Sequence, residues 1–206
     1  MEHLSHILFG AVIAFLGMLP PGMLNMTALK IRMERGKPQS IKYATGATVI
    51  IFFQATVAVV FADFFIKNPL VVDYLKFIGI IVFLILSGVF FQLSRKNPKF
   101  DVEEQRPKGS YFMRGAGMSA LNMLAIPFYL AIAMYLASED KLILERPYKL
   151  LFAAGVALGA GILFAIYISS SKIISEKASF IARNINLILS VLFLVLAIIG
   201  VVRYVS

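Results

Sequence analysis

The chain has 206 residues, of which 60% are apolar and only 15% charged, with a mean hydropathy of +0.85. A soluble domain has about a quarter of its residues charged, so the apolar surplus has to face lipid, and the same balance excludes intrinsic disorder and fibrous repeats. Without any cysteine there are no disulfides, thiolate metal sites or cysteine nucleophiles, and the net charge of +9 arises from 20 basic against 11 acidic residues.

Asp, Glu, Lys and Arg are missing from six stretches: 3–29, 43–62, 77–94, 115–138, 150–171 and 184–202. A helix rises about 1.5 Å per residue and the hydrocarbon core is about 30 Å thick, so each stretch is long enough to cross it. The spacing predicts an all-α integral membrane protein with six transmembrane helices, here called segments 1 to 6. Barrel strands are disfavoured because the runs are continuously apolar rather than alternating. Segment 1 has Glu2 where a signal peptide has a basic head, and no small-residue cleavage site, so it is expected to stay as a membrane helix.

Connections 29–42, 95–114 and 172–183 hold fourteen of the twenty Lys and Arg residues. The positive-inside rule then places both termini outside. The same distribution argues against nucleic acid as a partner, because the basic residues sit between helices, where anionic lipid headgroups and insertion account for them. His3 and His6 are expected to be surface groups. Asp63 and Asp73 lie at the outer ends of segments 2 and 3, within reach of Lys67 and Lys76. Tyr43, Tyr74, Tyr111, Tyr148 and Tyr204 fall near segment ends, as an aromatic belt would place them.

The two halves are alike. Segments 1 and 4 begin with Gly10-Ala11 and Gly115-Ala116, and each carries an interior proline and asparagine. Segments 2 and 5 share Ala44-Thr45-Gly46 and Ala153-Ala154-Gly155, and segments 3 and 6 carry Gly88 and Gly200. Three helices per half is an odd number, so a second copy enters from the opposite side, which predicts an inverted repeat. Residues 1–93 form the first three-helix repeat, 94–111 a basic cytoplasmic linker and 112–206 the second repeat.

Proline removes its own N–H and clashes with the carbonyl four residues earlier, so Pro20 and Pro21 should free the carbonyls of Leu16 and Gly17, and Pro127 that of Met123. In lipid such carbonyls cannot stay unpaired. Broken helices at matching places of two inverted halves point to a transporter's substrate site; taken singly, each proline is also compatible with a packing kink. Counted from the inner ends, both breaks fall deep in the membrane. Gly22 loosens the first break further. Asn25 and Thr27 follow it, Ser119 and Asn122 precede the second, and Thr45, Thr48 and Gln54 lie along segment 2. These polar groups are expected to point into the bundle, toward a zwitterionic solute or toward one another. The candidate substrate-binding residues are therefore Pro20, Pro21, Gly22, Asn25, Thr27, Gln54, Asn122 and Pro127.

At these residues the chain resembles the lysine exporter (LysE) superfamily, which includes the homoserine and threonine exporters. The likeness lies in length, six-segment hydropathy and two three-helix halves. It lies also in a first helix broken at Pro20-Pro21-Gly22 with Asn25 following, a basic connection leading to Ala44-Thr45-Gly46, and Asn122 with Pro127 in the fourth helix. The resemblance implies a bacterial inner-membrane exporter of amino acids or similar small polar metabolites, driven by the proton gradient. Two features depart from the family pattern. The first break reads Pro-Pro-Gly rather than Pro-Gly-Pro, and the second helix offers neutral Gln54 where members often carry an acidic residue. No charged group lies mid-span, so proton coupling rests on the resemblance alone.

No catalytic motif is found, so no enzyme, metal site or cofactor is expected. The expected partners are a small polar solute and the bilayer, and a homodimer is left open. Two other readings stay open: a divalent-cation transporter of the same superfamily, and a membrane assembly or partner protein that transports nothing.

Overall fold

The structure is a computed structural model that describes residues 2–68, 80–81, 84–85, 87–92, 94–95, 110–122, 124–171, 187, 190–191, 193–195 and 197–202. Among these residues all regular structure is helical. Segment 1 is two helices, α1 (Glu2–Met18) and α2 (Met23–Arg35), bent by 76° at the Pro-Pro-Gly. Segment 2 is the long helix α3 (Lys37–Lys67). Segment 4 is broken into α4 (Tyr111–Ala120) and α5 (Ala125–Ser138), bent by 61°, and segment 5 is α6 (Tyr148–Ser169). By length and composition α3 and α6 can each cross a membrane, and each bent pair can form one broken span. The described residues of 80–95 and 187–202 are helical, and Phe193–Val202 is an apolar helix. The rest of segments 3 and 6, the linker 96–109, Asp73, Tyr74, Lys76 and Tyr204 lie outside the described residues.

Local sequence explains these elements. Along α1, Leu4, Leu8, Val12 and Leu16 recur every four residues and are all more than half exposed, while Gly10 and Ala14 on the other side are buried. An apolar stripe left uncovered in this way is a lipid-facing surface. The basic stretch 29–42 is not a loop: α2 and α3 meet at Gly36, whose φ of +88° and ψ of 172° only glycine adopts without strain. Ser110 starts α4 by accepting a hydrogen bond from the Phe112 N–H at 3.3 Å.

The chain forms two compact units, one of Met1–Phe64 with Glu103–Glu176 and one of Phe65–Val102 with Lys177–Ser206. Each unit takes parts from both halves. In the first, glycines let backbones touch. A Cβ at Gly10 would overlap the carbonyl of Phe152, and at Gly155 and Gly159 it would overlap those of Ile7 and Ala11. Rising numbers on α1 therefore meet rising numbers on α6, so the two run parallel. Gly46 of α3 and Gly115 of α4 oppose one another in the same way, against the carbonyls of Phe112 and Tyr43.

The second unit is tied by a reciprocal pair, with the Ser87 hydroxyl donating to the Ser190 carbonyl and the Ser190 hydroxyl to that of Ser87, each at 3.0 Å. Phe90 stacks on Phe193 at 5.7 Å. A Cβ at Gly200 would meet the Ile80 side chain at 2.9 Å, whereas among the described residues nothing lies within 4 Å of one at Gly88.

Several expectations about side chains change. Tyr43 is fully buried between helices rather than set in a belt. Thr45 is exposed and satisfies its hydroxyl on the Ile41 carbonyl at 3.0 Å, the usual recourse of a threonine on an apolar helix face. His6 is buried, only 2% exposed. One ion pair of Asp63 is with Lys149 of α6, at 2.6 Å, because the end of α3 lies beside the start of α6.

Candidate functional site

The first break is built from four residues that cannot continue α1. Leu19 closes the helix end with a bond from its N–H to the Leu16 carbonyl at 3.2 Å, Pro20 and Pro21 have no N–H to give, and the Gly22 carbonyl opens α2 by accepting the Met26 N–H at 2.9 Å. The Leu16 carbonyl is therefore not released, the Gly17 carbonyl has no i+4 donor because that residue is Pro21, and the carbonyls of Met18, Leu19 and Pro20 are met by side chains. The Asn25 amide reaches back from α2 and donates through Nδ2 to Met18 at 2.6 Å and to Pro20 at 3.4 Å. Tyr167 of α6 donates its hydroxyl to the Leu19 carbonyl at 2.9 Å and also contacts the Asn25 side chain. Three consecutive carbonyls in a water-poor bundle are thus satisfied by two side chains, which is what allows a broken backbone there.

This arrangement leaves one group unsatisfied. With Nδ2 committed to carbonyls, the Asn25 Oδ1 points elsewhere, and it is buried with no hydrogen-bond partner. A buried unpaired acceptor costs about 1–3 kcal/mol, so it is a place where a donor would bind. The helix ends reinforce it. α1 ends at Met18 and α2 starts at Met23, with Gly22 as an N-cap that supplies no side-chain acceptor. The negative end of one helix dipole and the positive end of another therefore lie four residues apart.

The second break has a different chemistry. Ser119 ends α4 buried, and its carbonyl accepts the Asn122 N–H at 3.0 Å and the Gln54 Nε2 at 2.9 Å, while its hydroxyl reaches Gln54 Oε1 at 3.5 Å. Gln54 of α3 therefore satisfies this break as Tyr167 satisfies the first. Pro127 is the third residue of α5 and is exposed, so it starts a helix rather than kinking one, at a position where its missing N–H costs nothing. Met123 lies outside the described residues.

Of the expected site residues, Pro20, Pro21, Gly22 and Asn25 come together at the first break, with Pro21 and Asn25 buried. Gln54, half-buried Asn122 and Pro127 gather at the second. Thr27 belongs to neither: it is buried on α2 against the Tyr43 side chain, beside a bond from the Ser40 hydroxyl to the Ala28 carbonyl at 2.6 Å that ties α2 to α3. The two breaks meet where Gly17 of α1 faces the ring of Phe128 of α5.

Tyr167, Gly17 and Phe128 stand at the breaks and are residues that sequence reading did not single out. Tyr167 had a usable signal, since it is one of the few hydroxyls inside segment 5, five residues before Lys172. The first break is also less central than straight counting gives. Tyr167 lies 18 residues, or about 27 Å, along α6 from Lys149, and the bend turns the rise of α2 sideways, so this break sits near the ends of the spans that carry the basic connections. Among the described residues no group of three His, Asp or Glu side chains gathers.

In comparisons with known proteins, the family model described as LysE type translocator matches residues 15–202. No curated protein and no solved structure matches the chain significantly.

Proposed function

Because the chain belongs to the LysE type translocator family, a family of membrane transporters for amino acids or related solutes, we propose that it exports small neutral or zwitterionic amino acids across a bacterial inner membrane. Movement is by alternating access and is driven by protons. The observation that carries this reading is the unpaired Asn25 Oδ1 in a break where two helix ends converge. An ammonium group would donate to Oδ1 at the negative end of α1, and a carboxylate would take the N–H groups that open α2. Recognition of both charges at one broken helix suits a zwitterion and needs no mid-span carboxylate.

The reading includes six spans in two inverted three-helix repeats, 1–93 and 112–206, with both termini outside. Three observations support it. Gly10 pairs with Gly155 and Gly46 with Gly115, so segment 1 lies on segment 5 and segment 2 on segment 4; the exchange of segments 1 with 4 and 2 with 5 maps one pair onto the other. Ser87 and Ser190 bond reciprocally, as residues beside a two-fold axis do. Parallel α1 and α6 fit an even number of crossings before segment 5, the number that six spans supply when each bent pair is one span. The position of the first break near the basic connections fits a solute entering from the inner side.

The test is transport by the purified protein in liposomes with an imposed pH gradient, following a mixture of labelled amino acids by mass. Asn25→Leu, of similar size but without the amide, is expected to abolish movement that Asn122→Leu only reduces. Wild-type movement indifferent to the gradient would remove proton drive, and no movement of any amino acid would overturn the assignment.

A further inference from the structure

At the end of the bundle away from the first break, the start of α1 packs against the start of α6 and against residues 139–147, the connection from α5 to α6. His6 is the centre of this contact. It is 2% exposed, and its Nε2 accepts the backbone N–H of Ile143 at 2.9 Å. The ring also lies against Tyr148, with centroids 4.8 Å apart, and His3 stacks on the same tyrosine at 5.0 Å and 14°. The Ser5 hydroxyl is 3.4 Å from Nδ1.

An imidazole nitrogen accepts only when it carries no hydrogen, so this geometry requires neutral His6 with its proton on Nδ1. Protonation places a hydrogen on Nε2 and turns the acceptor into a donor facing another donor. The bond to Ile143 cannot survive that change, whatever else surrounds the ring. Other titratable groups at this end are His3 on α1, Tyr148 and Lys149 on α6, and Asp63 on α3, which is paired with Lys149. Glu139, Asp140, Lys141, Glu145 and Arg146 are all exposed in the connection itself. None of these receives the Ile143 N–H, so only His6 ties its own charge directly to that bond.

We propose that His6 is a proton-binding site that latches the α5–α6 connection onto α1 when neutral and releases it when charged. Imidazole is the side chain that changes charge between about pH 5 and pH 8. The latch matters because it joins the two broken segments: α1 leads into the first break, and α5 leads out of the second. Release frees their far ends from one another while the glycine contacts of α1 with α6 remain. The proposal rests on this contact alone and holds or fails whatever solute is carried.

The test is amide hydrogen exchange of residues 139–147 in the full-length protein in lipid nanodiscs, corrected for the intrinsic pH dependence of exchange. Losing one hydrogen bond, the Ile143 amide of the wild type is expected to lose roughly tenfold in protection as the pH is lowered from neutral and His6 takes up its proton. His6→Gln presents a carbonyl oxygen near the place of Nε2 and accepts at every pH, so its protection should stay level across the range. His3→Gln should respond as the wild type does. Wild-type protection indifferent to pH would overturn the proposal, and so would a loss that persists in His6→Gln.

Discussion

Gly17 has no side chain where the tip of Phe128 arrives: a Cβ there would lie 2.6 Å from Cζ and 2.8 Å from Cε1 of the ring. The other close glycines of α1, α3, α4 and α6 face backbone, which cannot move aside, whereas this one faces the free end of a rotatable side chain. The contact joins the two breaks and can open without unpacking any helix pair. Gly17→Ala is therefore expected to push the ring off its seat at a cost of about 1 kcal/mol or less in thermal stability, below that of alanine at a glycine facing backbone. Phe128→Leu should be mild alone and should recover most of that loss when combined. Additive losses in the double variant would show that the two residues do not meet.

Asn25 and Tyr167 act on adjacent carbonyls of the first break. Tyr167→Phe removes one donor and should cost about 1 kcal/mol, while Asn25→Leu strips the Met18 and Pro20 carbonyls together and should cost about 1–3 kcal/mol. The amide also carries the unpaired Oδ1. Asn25→Leu is accordingly expected to lose solute-dependent stabilisation as well as basal stability, whereas Tyr167→Phe keeps the former. Thermal unfolding of the purified variants with and without an amino-acid mixture separates the two. Equal solute stabilisation in both would remove Asn25 from the site.

The broad architecture was legible because charge is expensive in hydrocarbon, so six uncharged runs mark candidate spans without any knowledge of packing. Pro20, Pro21 and Gly22 marked a break for an equally local reason: no helix can run through them. What lay out of reach depends on which helix lies beside which. The burial of His6 needs Ile143 and Tyr148, 137 and 142 positions away. Asp63 has a partner on α6, Lys149, 86 positions away. Tyr43 sits near a segment end by number yet faces helices by geometry, and Thr45 turns outward because a threonine can satisfy its hydroxyl on its own helix. At Pro127 the residue type was read correctly and its consequence was not, since a proline that breaks a helix and one that opens a helix look the same in one dimension.

Glycine contacts give a sharp contrast within one residue type. Gly10, Gly46, Gly115, Gly155 and Gly159 each bring a neighbouring backbone too close for any Cβ, while a Cβ at Gly117 or Gly161 meets nothing within 4 Å. Alanine at any of the first five forces two helices apart and should cost about 1–3 kcal/mol or more. Alanine at Gly117 or Gly161 should be neutral or stabilising by up to about 1 kcal/mol through helix propensity. Melting temperatures of the seven variants in one detergent test this. A uniform response would show that the close approaches are not where the helices pack.

The pair of Asp63 and Lys149 closes α3 onto α6 at 2.6 Å, with side chains only 20% and 16% exposed. At that exposure neither charge is fully hydrated, so removing one leaves the other poorly solvated. Asp63→Asn and Lys149→Met are each expected to cost roughly 1.5–3 kcal/mol, the range of hydrogen bonds to charged groups. The double variant should cost less than the two together, because it strands no charge. Exchange of the two residues, Asp63→Lys with Lys149→Asp, should recover part of the loss, since the attraction does not depend on which helix carries which sign. Thermal unfolding of the wild type and these four variants at low and high salt measures the coupling. Coupling that vanishes at both salt levels would assign the closure of this end to the contacts of His6 and Tyr148 alone.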